Sequence, residues 1–402
     1  MANVTLFCQI LQQIPRPIFN TIVKKYQTDK HAKGINSWTH LVSMLFCHFA
    51  KANSVRDISN GLRSITGNAN HLGIQKKIPS RSSVSYINGH RDWQMFREVY
   101  FQLKEYLQKD GKLLQRKQFH FIDRKIYMLD STIINLCLRI FSWATYRNQK
   151  GAIKLHTMLD YDGCLPSYVF MTAASQSDVR HSGYMQVPSH SVIVMDRGYQ
   201  SFKMFWDWTQ QDIFFVTRLK EKINYVSIEE KELPSDTSGN ILKDEIIEPA
   251  EESSRKEYPD KLRRVAVYDA EQKRTIIILT NNFSWTAETV AELYKQRWSI
   301  EIFFKELKQN LKIKSFIGTN ENAMWIQIWT AMITMLLLRY MKEKAKYVWN
   351  LSNLIAFIRI NLFVKMDLQL WLDKPFWPQN EELRKEEQLN LFDSLGFDSA
   401  LS

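Results

Sequence analysis

Twice in this chain an apolar run ends on a carboxylate: IYMLD delivers Asp130 and VIVMD delivers Asp196. Runs this short, rich in Ile and Val, suit buried strands better than helices. A charged side chain at the end of a central strand is costly to bury unless it is paired or binds a cation. For one such aspartate a turn or helix cap is the commoner role. Two in one sheet point toward a shared metal site. The runs RKIYMLDSTII, IKLHTMLDYDG, CLPSYVFMTAAS, HSVIVMDRGY and DIFFVTRLK read as strands, and FKMFWDWTQQ, before the last, reads as a helix. The Asp162–Gly163 step suits a hairpin turn. This order predicts a mixed α/β sheet.

Charge divides the chain unevenly. Residues 1–120 carry 18 Lys and Arg against 6 Asp and Glu, which accounts for the whole net charge of +12. A basic excess at one end suits a polyanion-binding module joined to a neutral body, although a merely solubilising domain has the same signature. The pattern there is helical. Ser54 can cap VRDISNGLRSI, and Pro79–Ser80 can open a further helix, an arrangement compatible with a helix-turn-helix reader of DNA. Residues 221–262 hold 12 acidic and 6 basic residues and read as a polar loop or insertion.

Cys8, Cys47, Cys137 and Cys164 show no paired spacing, so neither a disulfide framework nor a zinc site is expected. The opening MANVTLFCQILQQIPRP lacks the features of a signal peptide. The run AMWIQIWTAMITMLLL falls short of the roughly 20 apolar residues that span a bilayer and reads as a buried helix. The expectation is a cytoplasmic, nucleoid-associated protein with no membrane partner.

The third acid of interest lies in AELYKQRWSIEIFFKELKQNL. On one continuous helix, Tyr294, Arg297, Glu301 and Lys308 fall within an arc of about 60°. Leu293, Ile300, Phe304, Leu307 and Leu311 form an adjacent apolar face. Such polar stripes are usually solvated surface. This one mixes an acid with Tyr, Arg and Lys, which suits one metal ligand and three phosphate contacts. Trp298 reads first as a core residue. His48, His156, Asp160 and Asp162 read as structural, and Arg218 points toward the same sheet edge as a candidate DNA contact.

Tyr-x2-Arg-x3-Glu-x6-Lys, carried by Tyr294, Arg297, Glu301 and Lys308, resembles the signature of insertion-sequence family four of the DDE transposases. The words LDST at Asp130, MDRGY at Asp196, LTNN, and YKQRWSIEIFFKELKQNLKIKSF are similar as well, over roughly residues 120–340. The N-terminal region resembles the helical segment preceding the core in Bacteroidetes-type elements. The resemblance implies a ribonuclease-H-like core, with a β-rich insertion in the 104 residues between Asp196 and Glu301. It implies that Asp130, Asp196 and Glu301 hold two Mg²⁺ ions, about 3.5–4 Å apart, with Mn²⁺ as a substitute. It further implies that Tyr294, Arg297 and Lys308 hold phosphates while a hairpin forms and a base flips, with Trp298 available to stack on it.

The expected layout is a helical basic DNA-binding domain over 1–118 and a ribonuclease-H-like catalytic core over 119–345, with a polar insertion at about 220–275. A helical segment and tail complete it over 346–402. The expected partner is double-stranded DNA, as transposon ends and target, bound by a homodimer in the synaptic complex. Two readings stand beside this one: a ribonuclease-H-like nuclease that only hydrolyses DNA, and a transposase-derived protein that binds DNA without cutting it.

Overall fold

The computed structural model describes residues 4–376 except 33, 66–68, 75–77, 110–117, 137–144, 147–149, 175–185, 222, 234–238 and 314–315. Cys137 and the tail beyond Phe376 therefore lie outside the described residues. Six helices come first: α1 (Leu6–Gln12), α2 (Arg16–Tyr26), α3 (Ser37–Ala50), α4 (Val55–Arg63), α5 (Arg81–His90) and α6 (Gln94–Lys109). Several of their starts follow from short polar side chains. Asn36 accepts from the Thr39 amide at 2.8 Å, Ser54 from that of Asp57 at 3.1 Å and Ser80 from that of Ser83 at 3.2 Å. Each satisfies an amide that the first helical turn leaves unpaired.

The strands follow as β1 (Lys125–Leu136), β2 (Thr145–Tyr146), β3 (Lys150–Asp160), β4 (Leu165–Ala173), β5 (Ser191–Met195) and β6 (Phe214–Arg218), with α7 (Phe202–Gln210) before β6. Strand β1 pairs antiparallel with β3 and parallel with β5; β3 pairs antiparallel with β4, and β5 parallel with β6. An antiparallel three-strand hairpin set beside parallel strands is the ribonuclease-H-like order. The fold class is thus a mixed α/β core preceded by helices.

Two sequence expectations change here. Asp130 does not end β1, which runs six residues further because β3 continues opposite it to Gly151. The 220–275 stretch, expected as a polar loop or insertion, is a β-rich insertion and not a loop. Its strands β7 (Tyr225–Glu230), β8 (Ile241–Pro249) and β9 (Leu262–Asp269) extend the sheet as a meander onto β10 (Arg274–Thr280), which pairs with β6. A short helix, α8 (Glu252–Glu257), lies between β8 and β9. Its charge is accommodated by pairing across β8 and β9. Arg263 makes a bidentate contact with Asp244, at 2.9 and 2.6 Å, and Glu245 is paired with Arg264 and with Lys243. Buried charges persist when matched in this way.

The remaining helices are α9 (Ala287–Lys295), α10 (Trp298–Asn310), α11 (Glu321–Lys344), α12 (Leu351–Asn361) and α13 (Leu368–Asp373). Helix α11 is long and apolar enough to cross a bilayer, yet 94% of its apolar window is buried inside the protein. It is the central core helix, contacting α3, α5, α6 and α12. Tyr100 of α6 donates to the Pro166 carbonyl at 2.8 Å, which docks the helices on the β3–β4 hairpin. Residues of α1–α4, α6, α9–α13 and one sheet face thus share one apolar cluster. The N-terminal helices pack as part of this common core, across both sequence boundaries expected near 118 and 345. Cys8, Cys47 and Cys164 are buried free thiols.

Candidate active site

The parallel pairing of β1 with β5 ends at Leu129 opposite Met195. The next residue on each chain is an aspartate, so Asp130 and Asp196 emerge side by side where the sheet opens. Asp196 leaves β5 at once and caps a single 3-10 turn, Arg197–Tyr199, accepting from the Gly198 amide at 3.3 Å. Behind that turn lies His156, which sequence reading had set aside as structural. It is fully buried, 3.0 Å from the Tyr199 hydroxyl and from Thr172 Oγ1, and stacks on Phe170. Its contribution is to fix the turn that aims Asp196.

Glu301 comes from α10. The stripe predicted on one continuous helix is instead split between two, because α9 stops at Lys295 and α10 starts at Trp298. The Arg297 amide bonds the Tyr294 carbonyl at 3.1 Å, and the Ser299 amide that of Gln296 at 2.9 Å. These three-residue bonds tighten the chain at Gln296–Arg297 without a glycine or proline to signal it. Glu301 then occupies the first turn of α10, where the positive end of the helix favours a carboxylate.

Arg297 joins the acids. One nitrogen, Nη1, lies 2.6 Å from Glu301 and 3.6 Å from Asp130. Burial raises the Asp130 carboxyl to about 6 from its ordinary 3.8. The Ser131 amide and Arg297 oppose this rise, whereas the negative charges of Asp196 and Glu301 add to it. Asp130 therefore feels both of the other acids. Burial works against the Arg297 charge, but Tyr294, Glu301 and Asp130 together hold its pKa above the usual value. Tyr294 is half-buried, and burial raises its phenol.

Arg218, at the end of β6, reaches the same mouth. Its charge is felt at Tyr294, and it lies 3.7 Å from Glu221, which also accepts from Arg197 at 3.1 Å. Arg197 and Glu221 were not singled out from the sequence; the only signal was Arg197's place in MDRGY. Trp298 is 57% exposed, so the core role expected first does not hold. Lys308 lies in the last turn of α10, half-buried, roughly 10 Å along the axis from Glu301.

The donors suit a hard divalent cation in chemistry, since all are carboxylates. As they stand they are not drawn together: among the described residues no three His, Cys, Asp or Glu side chains are grouped closely enough to hold a metal ion. The Arg297 guanidinium occupies the ground between two of them.

Comparison with known proteins decides the family. Residues 122–337, more than half of the chain, match the family described as the transposase DDE domain. The chain belongs to the DDE transposase family. Residues 2–75 match a domain of unknown function (DUF4372). A Geobacillus stearothermophilus protein named "Probable transposase for insertion sequence element IS5377" is 30% identical over 237 residues, 59% of this chain and 62% of the relative's own length. A Synechocystis sp. protein named for insertion sequence element IS4SA is 24% identical over 304 residues, 75% of this chain and 83% of that one. Among solved structures, the piggyBac transposase synaptic complex with hairpin DNA is similar at a TM-score of 0.37 and 10% identity, over 96% of this chain and 84% of that one. Transposases of the DDE family work with divalent metal ions, which accords with the all-carboxylate donor set.

Proposed function

We propose that this chain is the transposase of an insertion sequence, which binds the element's terminal inverted repeats and cuts and rejoins DNA. The observation that carries the proposal is the Leu129–Met195 register, which brings two aspartates side by side, with Arg297 tying Glu301 to the first. In this reading Asp130, Asp196 and Glu301 hold two Mg²⁺ ions, for which Mn²⁺ substitutes. Bound there, the metal supplies activation of the attacking oxygen and stabilisation of the leaving 3′-oxygen.

The chain's own side chains do the rest. Arg297 exchanges its carboxylate partners for a DNA phosphate, a swap between two strong acceptors of a guanidinium. Tyr294 donates its hydroxyl to a neighbouring phosphate, and Arg218 and Lys308 offset phosphate repulsion where the DNA bends. Exposed Trp298 stacks on a base displaced from that bend. Two copies acting on two ends make a homodimer the working unit, and the nucleoid its place of action.

The test is a labelled end fragment, taken from the inverted repeats flanking the gene, incubated with the protein and Mg²⁺. Nicked, hairpin and joined products are scored separately. All three are expected. Nicked product alone supports the hydrolytic nuclease, and bound but uncut DNA supports the non-catalytic binder.

A further inference from the structure

Helix α5 lies between the two family matches, in a segment that neither covers. We infer that α5 is the element that reads base sequence in duplex DNA, through Arg81, Ser82, Ser85, Tyr86 and His90. The inference rests on the transposase reading and names the surface that selects the element's ends.

The helix has two distinct sides. Val84 and Asn88 are buried, and Asn88 Oδ1 meets His40 Nε2 at 3.2 Å. The five named residues are all exposed and occupy a half-turn arc of about 180°. Every one is a hydrogen-bonding side chain, none is acidic, and Tyr86 is 64% exposed. Solvation alone does not call for an aromatic ring there. His90 pre-orders it, stacking on the Tyr86 ring at 4.1 Å while its Nδ1 lies 2.7 Å from the Tyr86 carbonyl.

Charge selects the occupant. Apart from Arg91, which is buried and paired with Asp29, residues 58–91 contain four Lys and Arg and no Asp or Glu. The acids at its edges are engaged locally: Asp57 accepts from the Asn53 amide at 2.9 Å, and Asp92 from that of Gln94 at 2.8 Å. A ten-residue helix with this face fits the major groove, where Arg, Ser, Tyr and His side chains can meet base edges.

The helix is also fixed relative to the catalytic acids. Asn322 donates to the Asn88 and Arg91 carbonyls at 3.1 and 2.8 Å, and Asn320 to the Gly89 carbonyl at 3.2 Å. A side chain at Gly89 would bring its Cβ within 3.0 Å of Asn320, so the glycine permits that approach. Both asparagines open α11, directly after the segment that leaves α10. Lys312, just beyond α10, donates to Asn53 at 2.7 Å beside the start of α4. Helix α10 thus runs from Glu301 toward the start of α4, roughly 15 Å along its axis. The connection between α4 and α5 spans 64–80, longer than the tight turn of a helix-turn-helix. The reading helix therefore takes its place from α11 and not from a turn.

The experiment uses the full chain. Preferred duplexes are selected from a randomised pool by the unmodified protein, and affinities for selected and scrambled duplexes are compared at fixed salt. Arg81→Ala and Tyr86→Ala are expected to lower the selected-to-scrambled affinity ratio by roughly 5- to 100-fold each, the range set by one good base contact. Tyr106→Ala, an equally simple loss of an exposed tyrosine on α6, is expected to leave the ratio unchanged. An unchanged ratio in both α5 variants overturns the inference, as does a change confined to oligomeric state, which would mark α5 as a protein contact. Cleavage and joining by the unmodified protein, scored alongside, separate failure of this inference from failure of the transposase reading.

Discussion

Arg297 and Glu301 are joined by a 2.6 Å ion pair between consecutive turns, and the same arginine nitrogen reaches Asp130. A guanidinium thus holds together two acids assigned to metal. The arrangement sets one positive charge between two carboxylates, and it makes the arginine a competitor of a cation there.

Removing that competitor has a definite consequence. Arg297→Gln is expected to raise Mn²⁺ affinity of the DNA-free protein by about 5- to 30-fold, as a nearby positive charge worth roughly 1–2 kcal/mol is withdrawn. Titration calorimetry or the Mn²⁺ resonance signal reads this directly. Weaker Mn²⁺ binding in the variant would mean that Arg297 assembles the acids and does not compete for them.

Asp130 titrates in the opposite sense to a stabilising salt bridge. Its folded pKa is raised to about 6 from 3.8, so the folded protein holds the proton more tightly than the unfolded chain. Ionising it costs stability. The cost is absent below pH 3.8, grows up to about pH 6 and is fully present above, reaching at most about 3 kcal/mol. Asp130→Asn is expected to stabilise the metal-free protein in urea at pH 8 and to give no gain at pH 4. Equal effects at the two pH values would remove burial as the cause.

Trp298 separates folding from chemistry. Because its ring is 57% exposed, Trp298→Ala should change stability by less than about 0.5 kcal/mol. Hairpin formation should nevertheless slow by roughly 5-fold or more, the loss of one base stack of about 1–3 kcal/mol, while first-strand nicking keeps its rate. Equal slowing of nick and hairpin would place the tryptophan in general DNA binding.

The sheet edge offers a purely structural check. Asp244 and Arg263 are both almost fully buried and bound in two places. Asp244→Ala leaves the guanidinium unpaired and should cost about 3–5 kcal/mol, visible as a lowered denaturation midpoint. A loss below 1 kcal/mol would show that the β7–β9 meander contributes little to overall stability.

Much of the scaffold could be read from local patterns, because local patterns caused it. VIVMD gave a buried strand that ends at Met195 and releases Asp196, Ser54 and Ser80 capped the helices they precede, and the apolar run at 323–338 became the central helix. What escaped reading depended on partners distant in the chain. Asp130 seemed to end a strand, yet β3 carries β1 onward. The acidic stretch reads only as a polar loop or insertion because its charges find partners across β8 and β9. The break at Gln296–Arg297 has no local signal, and it lets Arg297 lie between Glu301 and Asp130. Nor does basic charge reveal that the N-terminal helices share a core with α11.

The central claim is that Asp130, Asp196 and Glu301 are one cutting centre. The most direct measurement compares the unmodified protein with Asp130→Ala, Asp196→Ala and Glu301→Ala on a labelled end fragment in Mg²⁺, with DNA binding measured in parallel. The expected result is loss of every cleavage and joining product in each variant, with folding and end binding nearly intact. A variant that cuts at close to the unmodified rate would contradict the account, because its carboxylate would then stand outside the centre.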